Sequence, residues 1–298
     1  MIIARKLNKK FGKIHAVKDL DLHVKKGDIH GLIGPEASGK STVLRILSTL
    51  IRPDSGDVTI DNVPLNKGTH IRKIIGFVPK TPQIPLEYTA RGLVAFTASL
   101  HGMYDRKRID NILKQTGLDA VADQTLDRYS QTLKKNAAFA VALAHDPPIL
   151  LLDEPMAGLD PVSQKKIMEF LLASKKTVLM TAHDLNSVEG LCTSVTILRN
   201  GSAIVQDELA SLRQKIGKGA LEIKLLDPGL APKLIFELEK KGIKVTLSGE
   251  SIYIHFDSDS QVPGIIRIAA NAADIKEAKP MNISIDDIYS KFHYEEIK

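Results

Sequence analysis

Eight consecutive residues, Gly34-Pro35-Glu36-Ala37-Ser38-Gly39-Lys40-Ser41, limit what this chain can fold into more than any other segment. Two glycines bracket a turn, and a lysine and a hydroxyl follow the second. This is the phosphate-loop pattern, which carries meaning only between a strand and a helix. Both flanks are present. Residues 28–33 read as a buried strand, and beyond Lys40 the apolar Val43, Leu44, Ile46, Leu47, Leu50 and Ile51 recur at helical spacing. The turn residues Pro53-Asp54-Ser55-Gly56 are expected to end that helix. Backbone N–H groups in such a loop can point inward at phosphate oxygens, and the following helix dipole adds favourable potential. Lys40 supplies positive charge to terminal phosphates, Ser41 is a candidate Mg²⁺ ligand, and Thr42 closes the candidate nucleotide-binding stretch. The competing reading is a glycine turn with a surface lysine, and the flanking strand and helix weigh against it.

The second candidate is Ile149-Leu150-Leu151-Leu152-Asp153-Glu154, an apolar strand that delivers two carboxylates at its C-terminal end. Open parallel sheets bind ligands at that end. Adjacent residues point different ways, so Asp153 is expected to hold a metal through water while Glu154 orients and deprotonates an attacking water. An Asp-Glu-Pro string alone is more often a solvated turn; its pairing with the phosphate loop reverses the odds.

At 298 residues the chain is long enough for two domains, each with its own core. Hydrophobic residues at 43% and charged residues at 26% exclude a disordered chain. No apolar run approaches the 18 to 20 or so residues that span a bilayer, and the segment Met1 to Lys6 turns polar too soon for a secretory signal. A lone Cys192 makes neither an intramolecular disulfide nor a cysteine metal site, and its expected role is a buried structural thiol. Cytoplasmic residence is the default expectation. The net charge of +6 is uneven: residues 219–298 carry 10 basic and 13 acidic side chains, leaving +9 on the first 218. A basic half suits a polyphosphate or an anionic surface, although scattered solvated lysines give the same sum.

Through the first 200 residues strand-like runs alternate with helical patterns, the signature of an α/β fold with a mainly parallel sheet. Residues 177–180 form a further short apolar strand, and 161–173 read as helix. Residues 87–145 read as helical throughout, a helical insertion into the sheet domain. From 217 the character changes. Strands are expected at 221–226, 243–247, 252–256 and 275–279, with helices at 230–241 and 262–272, a βαββαβ order that implies a small α+β ferredoxin-like unit. An amphipathic helix at 285–297 would close the chain. The expected domains are therefore 1–216, with its helical part at 87–145, and 217–298.

With these motifs in this order, the chain resembles the ATP-binding subunit of ABC transporters from about residue 3 to 205, a P-loop NTPase with a RecA-like sheet. Ala157-Gly158-Leu159-Asp160 resembles the family's D-loop, and Thr181-Ala182-His183-Asp184 its switch histidine. Phe11 stands where the family has the aromatic that stacks on adenine. Taken singly, His183 reads as a core or capping histidine and Phe11 as a core aromatic; in this order the resemblance implies their functional roles. It also implies ATP and Mg²⁺ as cofactors, and an ATPase whose catalytic residues are Lys40, Glu154 and His183. Its metal would lie on Ser41 and Asp153, and its partners would be membrane permease subunits and a second ATP-binding subunit. Location would then be peripheral, on the inner face of the membrane. The ending Asn282-Ile283-Ser284-Ile285-Asp286-Asp287-Ile288-Tyr289 resembles that of ABC-2-type exporter subunits, while a domain that only strengthens dimer packing remains an open reading.

The departures matter as much. The usual Leu-Ser-Gly-Gly-Gln signature reads Tyr129-Ser130-Gln131-Thr132-Leu133, keeping Ser130 but neither glycine. In the family this segment, with the D-loop, closes over the partner's nucleotide, and side chains on Gln131 and Thr132 hinder so close a backbone approach. Lys80 stands at the Q-loop glutamine position, with Gln83 a weak substitute, and Ala37 replaces a common loop glycine. A heterodimer with an intact partner signature is one consequence. Two other readings stay open: an ATP clamp with little turnover, and a non-transport ABC ATPase acting on nucleic acid or the ribosome; no long coiled coil and no second nucleotide-binding half support the latter, and no nucleic acid partner is expected.

Overall fold

A computed structural model of the chain describes residues 1–188, 190–216, 219–249, 251–256 and 258–281. The chain divides into two compact units, Met1–Gln206 and a second from Asp207 onward. In chain order the first part carries β1 (Ile2–Phe11), β2 (Ile14–Val24), β3 (Ile29–Ile33), α1 (Lys40–Leu47), β4 (Ser55–Ile60), β5 (Val63–Pro64), α2 (Gly68–Ile74) and β6 (Ile75–Val78). There follow α3 (Ala90–Leu100), α4 (Arg106–Gln115), α5 (Gln131–Leu143), β7 (Ile149–Leu152), α6 (Pro161–Ser174), β8 (Thr177–Ala182), β9 (Ser194–Arg199) and β10 (Ser202–Glu208).

Two sheets result. The first has the order β2-β1-β4-β5, and the second β10-β9-β3-β8-β7-β6. In the second, β3 pairs in parallel with β8 and β9, and β7 with β6 and β8. Its central strands β3, β7 and β8 are buried at every position, which is why they read as unbroken apolar runs. Beside Thr177 and Thr181 of β8, the buried polar side chain within these strands is His30, 1% exposed on β3. Its ring nitrogens pair with the hydroxyls of Ser194 at 2.6 Å and Thr196 at 2.8 Å, so the polar group is satisfied. Helix α1 buries Val43, Leu44, Ile46 and Leu47 in a core that includes Leu20 of β2, Leu32 of β3 and Leu151 of β7. Each such side chain, fully buried, contributes about 1.5–3 kcal/mol.

The helix that follows the phosphate loop stops at Leu47, four residues short of Ile51. Thr49 turns left-handed at φ +64, and the Leu50 N–H donates to Arg45 O at 2.9 Å, satisfying a carbonyl the helix end would leave open. Leu50 is left 63% exposed. Between residues 87 and 145 the regular elements are helical, as expected; Ser130 caps α5 by accepting the Leu133 N–H at 3.2 Å.

In the second unit α7 (Leu209–Ile216) precedes β11 (Gly219–Leu225), α8 (Ala231–Glu239), β12 (Val245–Ser248), β13 (Ser251–Phe256), α9 (Val262–Ala272) and β14 (Ile275–Met281). The sheet order is β12-β13-β11-β14, and β11 pairs antiparallel with both β13 and β14. This is the ferredoxin-like βαββαβ arrangement. Leu234 and Leu238 of α8 and Ile265 and Ala269 of α9 pack with Leu221, Ile223, Ile252 and Ile254 of the sheet in one core. The expected helix at 285–297 lies outside the described residues.

Candidate nucleotide site

The phosphate loop leaves β3 and enters α1 under steric constraint. A Cβ on Gly34 would lie 2.3 Å from Leu198 O and 2.6 Å from Ser38 Oγ; one on Gly39, at φ +102, would lie 2.2 Å from Ala16 O. Both glycines are therefore required by close approach, and Gly39 by its left-handed conformation as well. Ala37 holds the left-handed region at φ +59 without being a glycine. Lys40, 4% exposed, folds its Nζ over the loop and donates to Gly34 O at 2.6 Å and Pro35 O at 2.7 Å. Burial pushes its ammonium below the ordinary lysine value, against the pull of Glu154 and Asp153.

Strand β7 carries the acidic pair to the same place. The Asp153 N–H extends the ladder by donating to Val78 O at 2.8 Å. Asp153 Oδ1 accepts from the Ser41 hydroxyl at 3.1 Å and from the Thr181 hydroxyl at 2.7 Å, and Thr181 Oγ1 in turn accepts the Glu154 N–H at 2.8 Å. Loop, β7 and β8 are thus stitched together at the C-terminal ends of parallel strands, where such sheets bind ligands. Glu154 takes the left-handed conformation, φ +48, and is 6% exposed. Its Oε1 lies 3.0 Å from Lys80 Nζ and 3.0 Å from His183 Nε2. Burial acts to raise the Glu154 carboxyl, but the Lys80 hydrogen bond and the charges of His183 and Lys80 prevail and hold it below the ordinary glutamate value.

A cleft of about 640 Å³ opens above this cluster, lined by Glu36, Ala37, Ser38, Gly39, Lys40, Ser41, Thr42, Lys80 and Glu154. Ile14, His15, Ala16 and Asn200 complete it. Phe11 is 48% exposed and pairs across the β1–β2 turn with Ile14, with Lys9 Nζ 5.5 Å from its ring centre. Gln83 is exposed and is not among the lining residues.

The remaining candidates stand apart from this cluster. Gln131 and Thr132 open α5, and the Thr132 hydroxyl donates to Gly158 O at 3.2 Å. Asp160 caps α6, accepting from the Ser163 N–H at 2.9 Å and the Ser163 hydroxyl at 2.8 Å. Sequence reasoning named Thr181 only as part of a motif and missed Lys135 altogether. Lys135 is 7% exposed and donates to Glu154 O at 2.5 Å and Ala157 O at 2.8 Å. A lysine beside the apolar stretch 137–144 was the available signal.

The oxygen set suits magnesium. A hydroxyl and a carboxylate that already meet at 3.1 Å are hard ligands, and Mg²⁺ is commonly held by one or two carboxylates with substrate phosphates supplying the rest. Among the described residues no three His, Cys, Asp or Glu side chains are grouped to hold a metal alone. Nor is any described helix long and apolar enough to cross a membrane.

Comparisons with known proteins agree with this geometry. A family profile described as "ABC transporter" matches residues 17–157. The chain is 30% identical to the Nod factor export ATP-binding protein I of Rhizobium sp. (strain N33), over 98% of this chain and 96% of that protein. It is 32% identical to the uncharacterized ABC transporter ATP-binding protein YxlF of Bacillus subtilis (strain 168), over 72% of this chain and 73% of that one. Among solved structures, a dimeric ATP-binding cassette in a post-hydrolysis state with ADP and Pi aligns at TM-score 0.65 and 30% identity, covering 70% of this chain and 99% of its own. The P-loop fold, the acidic strand end and these likenesses coincide on the same residues, and the chain belongs to the ABC transporter ATP-binding proteins, a family of ATPases.

Proposed function

We propose that this chain hydrolyses magnesium-ATP to power a separate ABC-2-type export permease on the inner face of the membrane. The ATP-binding domain is the first unit, Met1–Gln206, with residues 87–145 its helical part, and the unit from Asp207 onward, ten residues earlier than the sequence boundary at 217, is an accessory domain. The observation that carries this reading is the Ser41–Asp153–Thr181–Glu154 cluster beneath a buried phosphate-loop lysine. The export direction is supported by relatives named for Nod factor export.

In this reading Lys40 exchanges its loop carbonyls for β- and γ-phosphate oxygens, and the amides of 34–42 cradle the chain of phosphates. Ser41 and Asp153 would hold Mg²⁺, which supplies charge neutralisation for the phosphates. Glu154, held ionised, orients a water and takes its proton, and His183, within reach of the same carboxylate, contacts the γ-phosphate. Phe11, at the tip of the hairpin beside the cleft, stacks on adenine. Ser130, Gln131, Thr132 and Asp160 face a second ATP-binding subunit. The altered signature favours a heterodimer whose partner supplies intact glycines to this chain's nucleotide.

A second reading, an ATP clamp with little turnover, is favoured by the Lys80–Glu154 ion pair, which occupies the general base. The test is purification from native membranes, with and without ATP, followed by magnesium-dependent ATPase measurement on the assembly recovered. Recovery of a permease and a turnover above about 1 s⁻¹ support the transporter. A soluble, partnerless chain with no turnover refutes it.

A further inference from the structure

Lys80 lines the cleft beside the phosphate-loop Lys40, and its placement is set by the sheet. Val78 of β6 pairs with Leu152 of β7, and the Asp153 N–H continues that ladder to Val78 O. Two residues further along each strand end, Lys80 and Glu154 therefore lie side by side. Lys80 Nζ is 3.0 Å from Glu154 Oε1 and 3.9 Å from Glu36 Oε1 of the phosphate loop, and the side chain is 46% exposed. An ammonium has three donors; with one on Glu154, the others are open to the cleft that Lys40, Ser41 and Glu36 line. Two carboxylates, Glu36 and Glu154, line that cleft, and the buried Asp153 lies behind Ser41 at 3.1 Å. A polyphosphate entering without a cation meets their repulsion, and an ammonium fixed among them offsets it.

From this placement we infer that Lys80 is a nucleotide-binding residue that supplies part of the charge a divalent cation otherwise brings, so that this site takes metal-free ATP as well as magnesium-ATP. The inference rests on the nucleotide reading of the cleft above. Calorimetry on the full chain, with ATP in EDTA and with ATP in excess magnesium, tests it. Wild type is expected to bind both forms with affinities within about tenfold. Lys80→Gln is expected to weaken metal-free ATP at least about tenfold while magnesium-ATP changes less than about threefold, and Lys80→Arg to restore the wild-type ratio. A side chain that only steadied Glu154 would leave the ratio of the two affinities untouched, and an unchanged ratio in Lys80→Gln overturns the inference. If wild type binds neither form, the nucleotide reading itself fails, and this inference falls with it.

Discussion

Lys135, buried on α5, donates its ammonium protons to the main-chain carbonyls of Glu154 and Ala157, at 2.5 and 2.8 Å. The helix that begins at the altered signature is thereby fastened to the left-handed turn that presents Glu154. Removing the ammonium leaves the buried Glu154 carbonyl and the part-buried Ala157 carbonyl without that donor, at a cost of about 1–3 kcal/mol. Lys135→Met, close in volume, is expected to lower the unfolding free energy by about that amount, read from the urea midpoint. It should also lower ATPase turnover, because the backbone that aims Glu154 loses its tie. An unshifted midpoint would remove Lys135 from this role.

Ala37 carries a side chain where the loop backbone is left-handed, φ +59. For a non-glycine residue that conformation costs about 1–2 kcal/mol, against the 0.4–1 kcal/mol or so that a glycine loses to its freer unfolded chain. Ala37 is exposed, so no packing is lost on truncation. Ala37→Gly is expected to stabilise the protein by up to about 1 kcal/mol, seen as a higher Tm in thermal unfolding. A lower Tm would show that the loop draws rigidity from the alanine.

Much of this architecture was legible because it is local. The phosphate loop, the β7 strand end and the ferredoxin-like order each announce themselves in short windows of periodicity and turn chemistry. What was not legible is what the tertiary fold decides. The apolar spacing through Leu50 and Ile51 extended α1 past its true end, because a β-branched Thr49 in the left-handed region is invisible to periodicity. Lys135 stayed hidden because its partners are carbonyls 19 and 22 positions away, and main-chain acceptors have no sequence code. Lys80 was recognisable as a departure, but its pairing with Glu154 depends on the parallel register of β6 and β7, which no single segment encodes.

Glu154 is buried, held ionised by its neighbours and set in a left-handed turn. Glu154→Gln keeps the shape and the hydrogen-bonding reach of the side chain but cannot take a proton. ATP binding is expected to persist, while hydrolysis falls by 10²-fold or so and more, the range a general base contributes. Paired measurements of calorimetric affinity and steady-state phosphate release check this. Undiminished release would take the base role from Glu154.

His145 stacks on His101 at 4.1 Å and its Nε2 lies 2.9 Å from Ile75 O, while its buried Nδ1 has no hydrogen-bond partner among the described residues. Burial pushes its pKa below the ordinary 6.5, helped by the charges of His101, Arg108 and Lys176 and opposed by the Ile75 bond. Below pH 6.5 the unfolded chain therefore binds a proton that the folded protein refuses, so stability falls as pH falls, with a slope of up to about 1.4 kcal/mol per pH unit. Urea unfolding between pH 7.5 and 5.5 or so should show this loss in wild type and a flatter dependence in His145→Gln. Equal slopes would place the titrating group elsewhere.

Gln131 and Thr132 occupy the first two positions of α5 behind the Ser130 cap, and Thr132 ties to Gly158 O. In the proposed dimer these side chains would stand where a facing nucleotide needs bare backbone. Replacing both, Gln131→Gly with Thr132→Gly, should cost about 1 kcal/mol of stability, since glycine is a poor helix former even in a first turn. Turnover of the purified homodimer should nonetheless rise at least about tenfold, well inside the 10²–10³ or so contributed by one preorganised donor in other enzymes. Stability and rate moving in opposite directions is the discriminating result, because general destabilisation lowers both. A wild-type homodimer that already turns over quickly, or a double variant that is merely weaker, would show that the side chains of Gln131 and Thr132 do not obstruct closure.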